Sequence, residues 1–283
     1  MEVLDEGFIR SFIRMADDGW KQGWHERNGG NLSYRLTPAD VNAIEDVLSA
    51  IEAQRWESIS DEGAALALRD IAGEMFLITA AGSYFRNITL EPERCMGIIE
   101  VDDAGLRYRI RWGFADGGRP TSELPTHLLN HSVKKRVSDG RIRVIYHCHP
   151  ANINALTFVF PHSGAVFTRE LWGMISECAM VFPEGVAVVE WMVPGSIDIA
   201  RASAKKMEHC NVVIWVHHGM FCAGEDFDSA FGLMHTVEKA AEVLVKVRSM
   251  SGGCECVSRI TDQNLADLAD AYDLDLTPAE LAL

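Results

Sequence analysis

The chain has 283 residues, 48% hydrophobic and 24% charged, the composition of an ordinary soluble globular protein with enough chain to bury a large core. Its 41 acidic against 26 basic side chains give a formal charge of −15, and the longest basic block is Lys134-Lys135-Arg136, which argues against nucleic acid or anionic membranes as partners. No apolar run reaches the ~20 residues of a membrane span, residues 1–20 lack a signal-peptide core, and the seven scattered cysteines suit reduced thiols, so a cytoplasmic protein is expected.

Phe8, Ile9, Phe12, Ile13, Met15 and Trp20 recur at helical spacing and predict an amphipathic helix from Asp5 to about Gly23. Arg27-Asn-Gly-Gly-Asn31 follows as a tight turn, because paired glycines and asparagines accept positive φ. Leu32–Leu36 reads as a short strand and 38–70 as helical, acidic, weakly patterned chain, a candidate insertion. Met75–Thr79 is a predicted strand, Ala80-Ala-Gly-Ser83 a turn, and Gly97–Val101 with Tyr108–Trp112 a hairpin around Asp102 to Gly105. Ser122 and Glu123 open a helix that runs to about Val137.

Beyond it, Arg141–His147, Cys178–Phe182, Val186–Val189 and Val212–Val216 read as strands, and Ala151–Phe158 and Ser196–His209 as helices. Asp226–Met250 is the longest helical pattern, followed by short helices at Asp262–Ala271 and Thr277–Leu283. Strands interleaved with helices predict a mixed α/β or α+β single domain, 1–283, with a central sheet. The pair Cys254-Glu-Cys256 reads as plain loop rather than a metal site.

Chemistry concentrates in a few segments. His147 and His149 stand at i and i+2 where an apolar strand ends, so their rings leave one face while Cys148 points the other way. His-x-His alone is weak support for a metal, but a second apolar strand, Val212 to Val216, delivers His217 and His218 to Gly219. Adjacent strand residues face opposite ways, so one of these two completes a three-imidazole set that would leave coordination positions open, the mark of a catalytic rather than structural metal. Thr121-Ser-Glu-Leu-Pro-Thr-His127 adds the carboxylate of Glu123, equally readable as an acid/base or as an acidic first turn of a helix. Glu177 is a further acidic candidate, with a solvated helix end as its plain reading. The turns Asn28-Gly-Gly-Asn31 and Ala80-Ala-Gly-Ser83, with Thr121 and Ser122, offer converging N–H and hydroxyl groups for a phosphate, although each alone is an ordinary turn.

Taken in order, Asn28-Gly-Gly-Asn31, Thr79-Ala-Ala-Gly-Ser83, Thr121 to His127, His147-Cys-His149 and His217-His-Gly219 resemble the class II aldolase family of metal-dependent sugar-phosphate aldolases, epimerases and adducin heads. The likeness is greatest to its rhamnulose-1-phosphate aldolase branch, through Phe167-Thr-Arg-Glu-Leu-Trp172, Trp191-Met-Val-Pro-Gly195 and the long last helix. The resemblance implies a single domain with a mixed, largely antiparallel sheet flanked by helices. It also implies one Zn²⁺ per subunit on His147, His149 and His218, with Glu123 as acid/base and Glu177 assisting at the substrate. Asn28, Asn31, Gly82, Ser83 and Ser122 would line the phosphate, although Ala81 stands where the family pattern has serine. The implied activity is reversible cleavage of a ketose 1-phosphate, L-rhamnulose 1-phosphate first, by a homotetramer. Cleavage of the fuculose epimer, pentulose-phosphate 4-epimerisation and a metal-free adducin-like interaction module are the alternatives.

Overall fold

The computed structural model describes residues 3–51, 54–60, 68–253 and 256–276. In chain order these form α1 (Gly7–Lys21), β1 (Asn31–Arg35), α2 (Pro38–Ala43), α3 (Glu45–Ala50), β2 (Glu57–Ser58), β3 (Met75–Thr79) and α4 (Pro92–Cys95). Then come β4 (Met96–Val101), β5 (Arg107–Gly113), α5 (Leu124–Val137), β6 (Val144–Cys148), α6 (Ala151–Leu156), α7 (Gly164–Trp172) and α8 (Glu177–Val181). The remainder is β7 (Ala187–Val189), α9 (Ile197–Met207), β8 (Val212–Trp215), β9 (Gly219–Gly224), α10 (Phe227–Met250) and α11 (Asp262–Tyr272).

The strands make one sheet in the order β2-β5-β4-β3-β1-β6-β9-β8-β7. Every neighbouring pair is antiparallel except β7 with β8, so the mixed, largely antiparallel sheet that the family resemblance implies is what the chain builds. Side chains alternate across it with period two. Leu32, Tyr34, Val144, Tyr146, Ile214, Met220 and Cys222 share one core with Phe12 of α1 and Met234 and Val237 of α10. On the opposite face, Phe76 and Ile78 pack with Leu124 and Leu128 of α5, and Ile145, Val213 and Trp215 with Ile199 and Met207 of α9. The result is three layers, with helices covering both faces.

Three sequence expectations need correction or completion. Cys178–Phe182 is not a strand but lies in and just after helix α8. Cys178 and Phe182 are fully buried while Met180 and Val181 are exposed, a four-residue spacing that a short apolar run hides. Strand β9 and helix α7 carry no clear pattern in the sequence; β9 is buried along its whole length, so it shows no alternation to read. Within 38–70 the helical expectation holds only for α2 and α3, and 52–53 and 61–67 lie outside the described residues, as do Cys254 and the Thr277–Leu283 segment. Among the described residues no helix is long and apolar enough to cross a membrane.

Candidate active site

β1 is antiparallel to both β3 and β6, and β9 to both β6 and β8, so β3, β6 and β8 run the same way and end at one edge of the sheet. The same edge holds the starts of β1 and β9. The His147-to-His149 and His217-to-Gly219 segments therefore leave strands here, at the carboxyl ends where open α/β sheets place ligands.

His147, next to last in β6, is fully buried, and its Nδ1–H donates to the Met220 carbonyl on β9 at 3.0 Å. A carbonyl can only accept, so Nε2 of His147 is left as the free nitrogen. His149, on the same face, turns Nδ1 to Glu26 Oε1 at 2.6 Å and brings its Nε2 to 3.3 Å from Nε2 of His147. In neutral rings these two Nε2 atoms present lone pairs to each other, a repulsive arrangement that a shared cation relieves. Their spacing is about that of two nitrogens held ~2.0–2.1 Å from one tetrahedral ion.

His218 is the third member: one ligand atom from each of His147, His149 and His218 lies within 4.8 Å of the others. The Nδ1 of His218 is buried without a hydrogen-bond partner. His217 adopts φ 58° to turn the chain from β8 into β9, pairs with Thr157 Oγ1 at 3.1 Å and packs tilted against Phe158; it lines the same cavity but is not one of the three imidazoles that meet. Burial holds the acid forms off: it drives His147 well below the usual imidazole range and His218 down to about 4. Together with the outer carbonyl and carboxylate on the Nδ1 atoms, this donor set fits a transition-metal ion. An open cavity of about 720 Å³ reaches His149 and His218, with Glu26, Asn154 and Phe158 in its wall.

Glu123 comes to this cluster from the start of α5. It is the residue before the first helical turn, but its side chain makes no cap; instead Oε2 accepts from Asn31 Nδ2 at 3.0 Å and lies 3.7 Å from His147 Nε2. The acidic-first-turn reading therefore gives way to a carboxyl buried beside the imidazoles. Burial pushes it up to about 7, against the Asn31 hydrogen bond, which pulls it down.

The glycine turn is shaped for close approach. His25 Nδ1–H donates to the Gly29 carbonyl at 2.9 Å, and Tyr146 O–H donates to the other ring nitrogen at 2.7 Å. Gly30 has φ +77°, and a Cβ there would stand 2.6 Å from the His147 carbonyl, so only glycine fits. The second turn is tied to the Glu123 segment by Ala81 N–H to Arg119 O at 2.9 Å and Thr121 N–H to Thr79 O at 3.0 Å.

The residues assigned to a phosphate divide. Asn28 and Ser122 are exposed at the edge, and Gly82, at φ +70°, stands clear of neighbours. Ser83 donates its hydroxyl inward to the Ala80 carbonyl at 2.8 Å and reaches an anion only by giving up that bond. Asn31 is buried, with its amide engaged by Thr121, Glu123 and His127. Glu177 is exposed on α8 and lines a different cavity, with His235, Thr236 and Lys239 of α10. Glu26, the outer partner of His149, went unnoticed in the sequence; no spacing rule marks an acidic residue two before Asn28.

The profile described as Class II Aldolase and Adducin N-terminal domain matches residues 10–245. The chain belongs to the class II aldolase family. A rhamnulose-1-phosphate aldolase of Pectobacterium atrosepticum is 42% identical over 281 residues, covering 99% of this chain and 98% of that one. Another protein of that name, from Mannheimia succiniciproducens, is 44% identical over 250 residues, 88% of this chain and 89% of that one. Among solved structures, a sugar-phosphate aldolase from Thermotoga maritima superposes with a TM-score of 0.71 at 29% identity, over 88% of this chain and 97% of that one. Class II aldolases work with a divalent metal, and the three imidazoles are where this chain can hold one.

Proposed function

We propose that the protein is a zinc-dependent lyase that reversibly cleaves L-rhamnulose 1-phosphate to dihydroxyacetone phosphate and L-lactaldehyde in rhamnose breakdown. The observation that carries this is the meeting of His147, His149 and His218 within 4.8 Å, with the Glu123 carboxyl 3.7 Å from His147. Near-full-length likeness to rhamnulose-1-phosphate aldolases supports the choice of sugar.

His147, His149 and His218 would hold the ion. Bound there, Zn²⁺ supplies a Lewis acid for the electron pair that C–C cleavage leaves on the carbon next to the ketone. Glu123 gives the proton to that carbon in the cleavage direction and removes it in the synthetic direction. Asn31, whose amide also donates to Thr121 Oγ1, holds this carboxyl in place. Asn28, Gly82 and Ser122, with Ser83 after rotation of its hydroxyl, hold the remote phosphate and so orient the ketose. On one chain Glu177 lies outside this cavity. Its role at the substrate therefore requires the homotetramer, in which a neighbouring copy presents it.

Cleavage of L-rhamnulose 1-phosphate and of its fuculose epimer, measured with and without a chelator, tests the reading. Triose-phosphate release from the rhamnulose ester, lost on chelation and restored by Zn²⁺, is expected. Full activity in chelated protein holding well under one metal per chain would overturn the metal, and epimer formation without triose phosphate would overturn the reaction.

A further inference from the structure

Five buried polar side chains, Glu123 and four behind it, form a single file between β1 and α5. Glu123, His127 and His131 recur every four residues along one side of α5, and Asn31 and Ser33 every two along one side of β1. Four helical residues and two strand residues both advance about 6 Å, so the two rows mesh. Asn31 Nδ2 donates to Glu123 Oε2 at 3.0 Å, Asn31 Oδ1 contacts His127 Nε2, and Ser33 Oγ lies 2.6 Å from His127 Nδ1 and 2.8 Å from His131 Nε2. None of the five is more than 7% exposed.

The hydrogens in this file run one way. Asn31 Oδ1 only accepts, so His127 carries its proton on Nε2. Its Nδ1 is then bare and takes the Ser33 hydroxyl hydrogen, and the Ser33 oxygen takes Nε2–H of His131. His131 Nδ1, at the far end, is buried without a partner. The one unmet acceptor thus lies far from Glu123, while every donor points towards it. Reversing the Asn31 amide would set its carbonyl oxygen against the carboxylate. Burial keeps His127 neutral, down to about 3, so the file carries no charge of its own.

We propose that Asn31 and His127 are positioning residues for Glu123: the file from His131 through Ser33 locks the Asn31 amide so that it aims the carboxyl at the substrate carbon. The proposal rests on the aldolase reading and deepens it. It also gives Asn31 a task other than contact with phosphate. Buried polar groups cost stability unless all are paired, and a purely packed junction of β1 with α5 would be met more cheaply by apolar side chains.

The test compares His127→Phe, which removes both ring nitrogens, with His127→Gln, which keeps an N–H donor at about the Nε2 position. Zinc-loaded parent and variants are followed by cleavage kinetics, by exchange of the dihydroxyacetone phosphate C–H proton with D2O, by metal content and by thermal melting. Expected for His127→Phe is a fall of tenfold or more in kcat and in exchange, with KM within about threefold and one metal retained per chain. His127→Gln should recover most of both rates. Exchange at the parent rate in His127→Phe overturns the proposal, as does equal loss in the two variants at equal metal content. If His127→Phe does not fold, Ser33→Ala serves, with a smaller fall in exchange expected and an unchanged rate counting against the file. A parent protein that neither cleaves nor exchanges sinks the aldolase reading separately. The file is then judged by nitrogen NMR of His127, where an Nε2-protonated ring supports it and an Nδ1-protonated ring overturns it.

Discussion

Glu123 is held between two opposing influences. Burial favours its neutral form, whereas the Asn31 amide favours the carboxylate, as would a cation on the neighbouring imidazoles. Without the ion, the folded protein titrates this carboxyl at about 7, above its ordinary unfolded value. The unfolded chain therefore ionises first as pH rises, and the folded state loses stability from about pH 4.5 to about pH 7, with a constant deficit above that. Metal-free Glu123→Gln should consequently exceed the metal-free parent in stability at pH 8 by up to about 3 kcal/mol, and the gap should close below about pH 4.5. Denaturant unfolding of both chelated proteins across that range measures it; a gap independent of pH would show that burial of the carboxyl is not its source. Zinc should erase the gap by lowering the Glu123 pKa. At this scale the sequence marked Glu123 and the three imidazoles as candidates, but the acidic partner of His149, Glu26, became visible only in the fold.

Short elements carry the three imidazoles, and their anchoring comes from longer ones. Helix α6 begins two residues after His149 and spans only Ala151–Leu156, too short to be stable alone. Glu238 of α10, buried, accepts from the Asn152 and Ile153 backbone N–H groups at 3.0 and 2.9 Å and from Asn152 Nδ2 at 2.7 Å. This one carboxylate supplies acceptors that the start of α6 lacks. Glu238→Ala should cost about 2–3 kcal/mol, because it strands buried N–H groups. It should also weaken metal binding through the loosened His149 segment; thermal melting and metal titration check both, and an unchanged melting temperature would rule the anchor out. Amphipathic α1, α9 and α10 were legible because each has one wet and one dry side. Strand β9 was not, because it is buried throughout, and α8 was read as a strand because five residues are too few to separate a period of 3.6 from one of two.

Across the whole molecule, the imidazole cluster joins chain segments about 70 residues apart, and β9 is what closes it. β9 pairs with β6 on one side and β8 on the other, and thus sets the end of β6 beside the turn after β8. Gly219 permits this closeness, since a Cβ there would lie 2.3 Å from the Cys148 carbonyl. An ion held by His147, His149 and His218 would cross-link the two segments in the folded state only, so it stabilises by mass action. Chelation should therefore lower the melting temperature, by an amount worth about 4 kcal/mol where free zinc exceeds Kd by about 1,000-fold, and readdition should restore it. His147→Ala should melt alike with and without zinc; a zinc-dependent shift that survives in this variant would place the metal elsewhere. By itself the sequence determined which residues are candidates for the chemistry and which face of α1 turns inward, because residue type and period are local properties. The family resemblance already singled out His218 over His217, and the tertiary structure gathers it with His147 and His149; only the tertiary structure decided that Asn31 holds Glu123 and that Glu177 stands apart. Those outcomes depend on strand order and on which groups are buried together, and no local pattern encodes either.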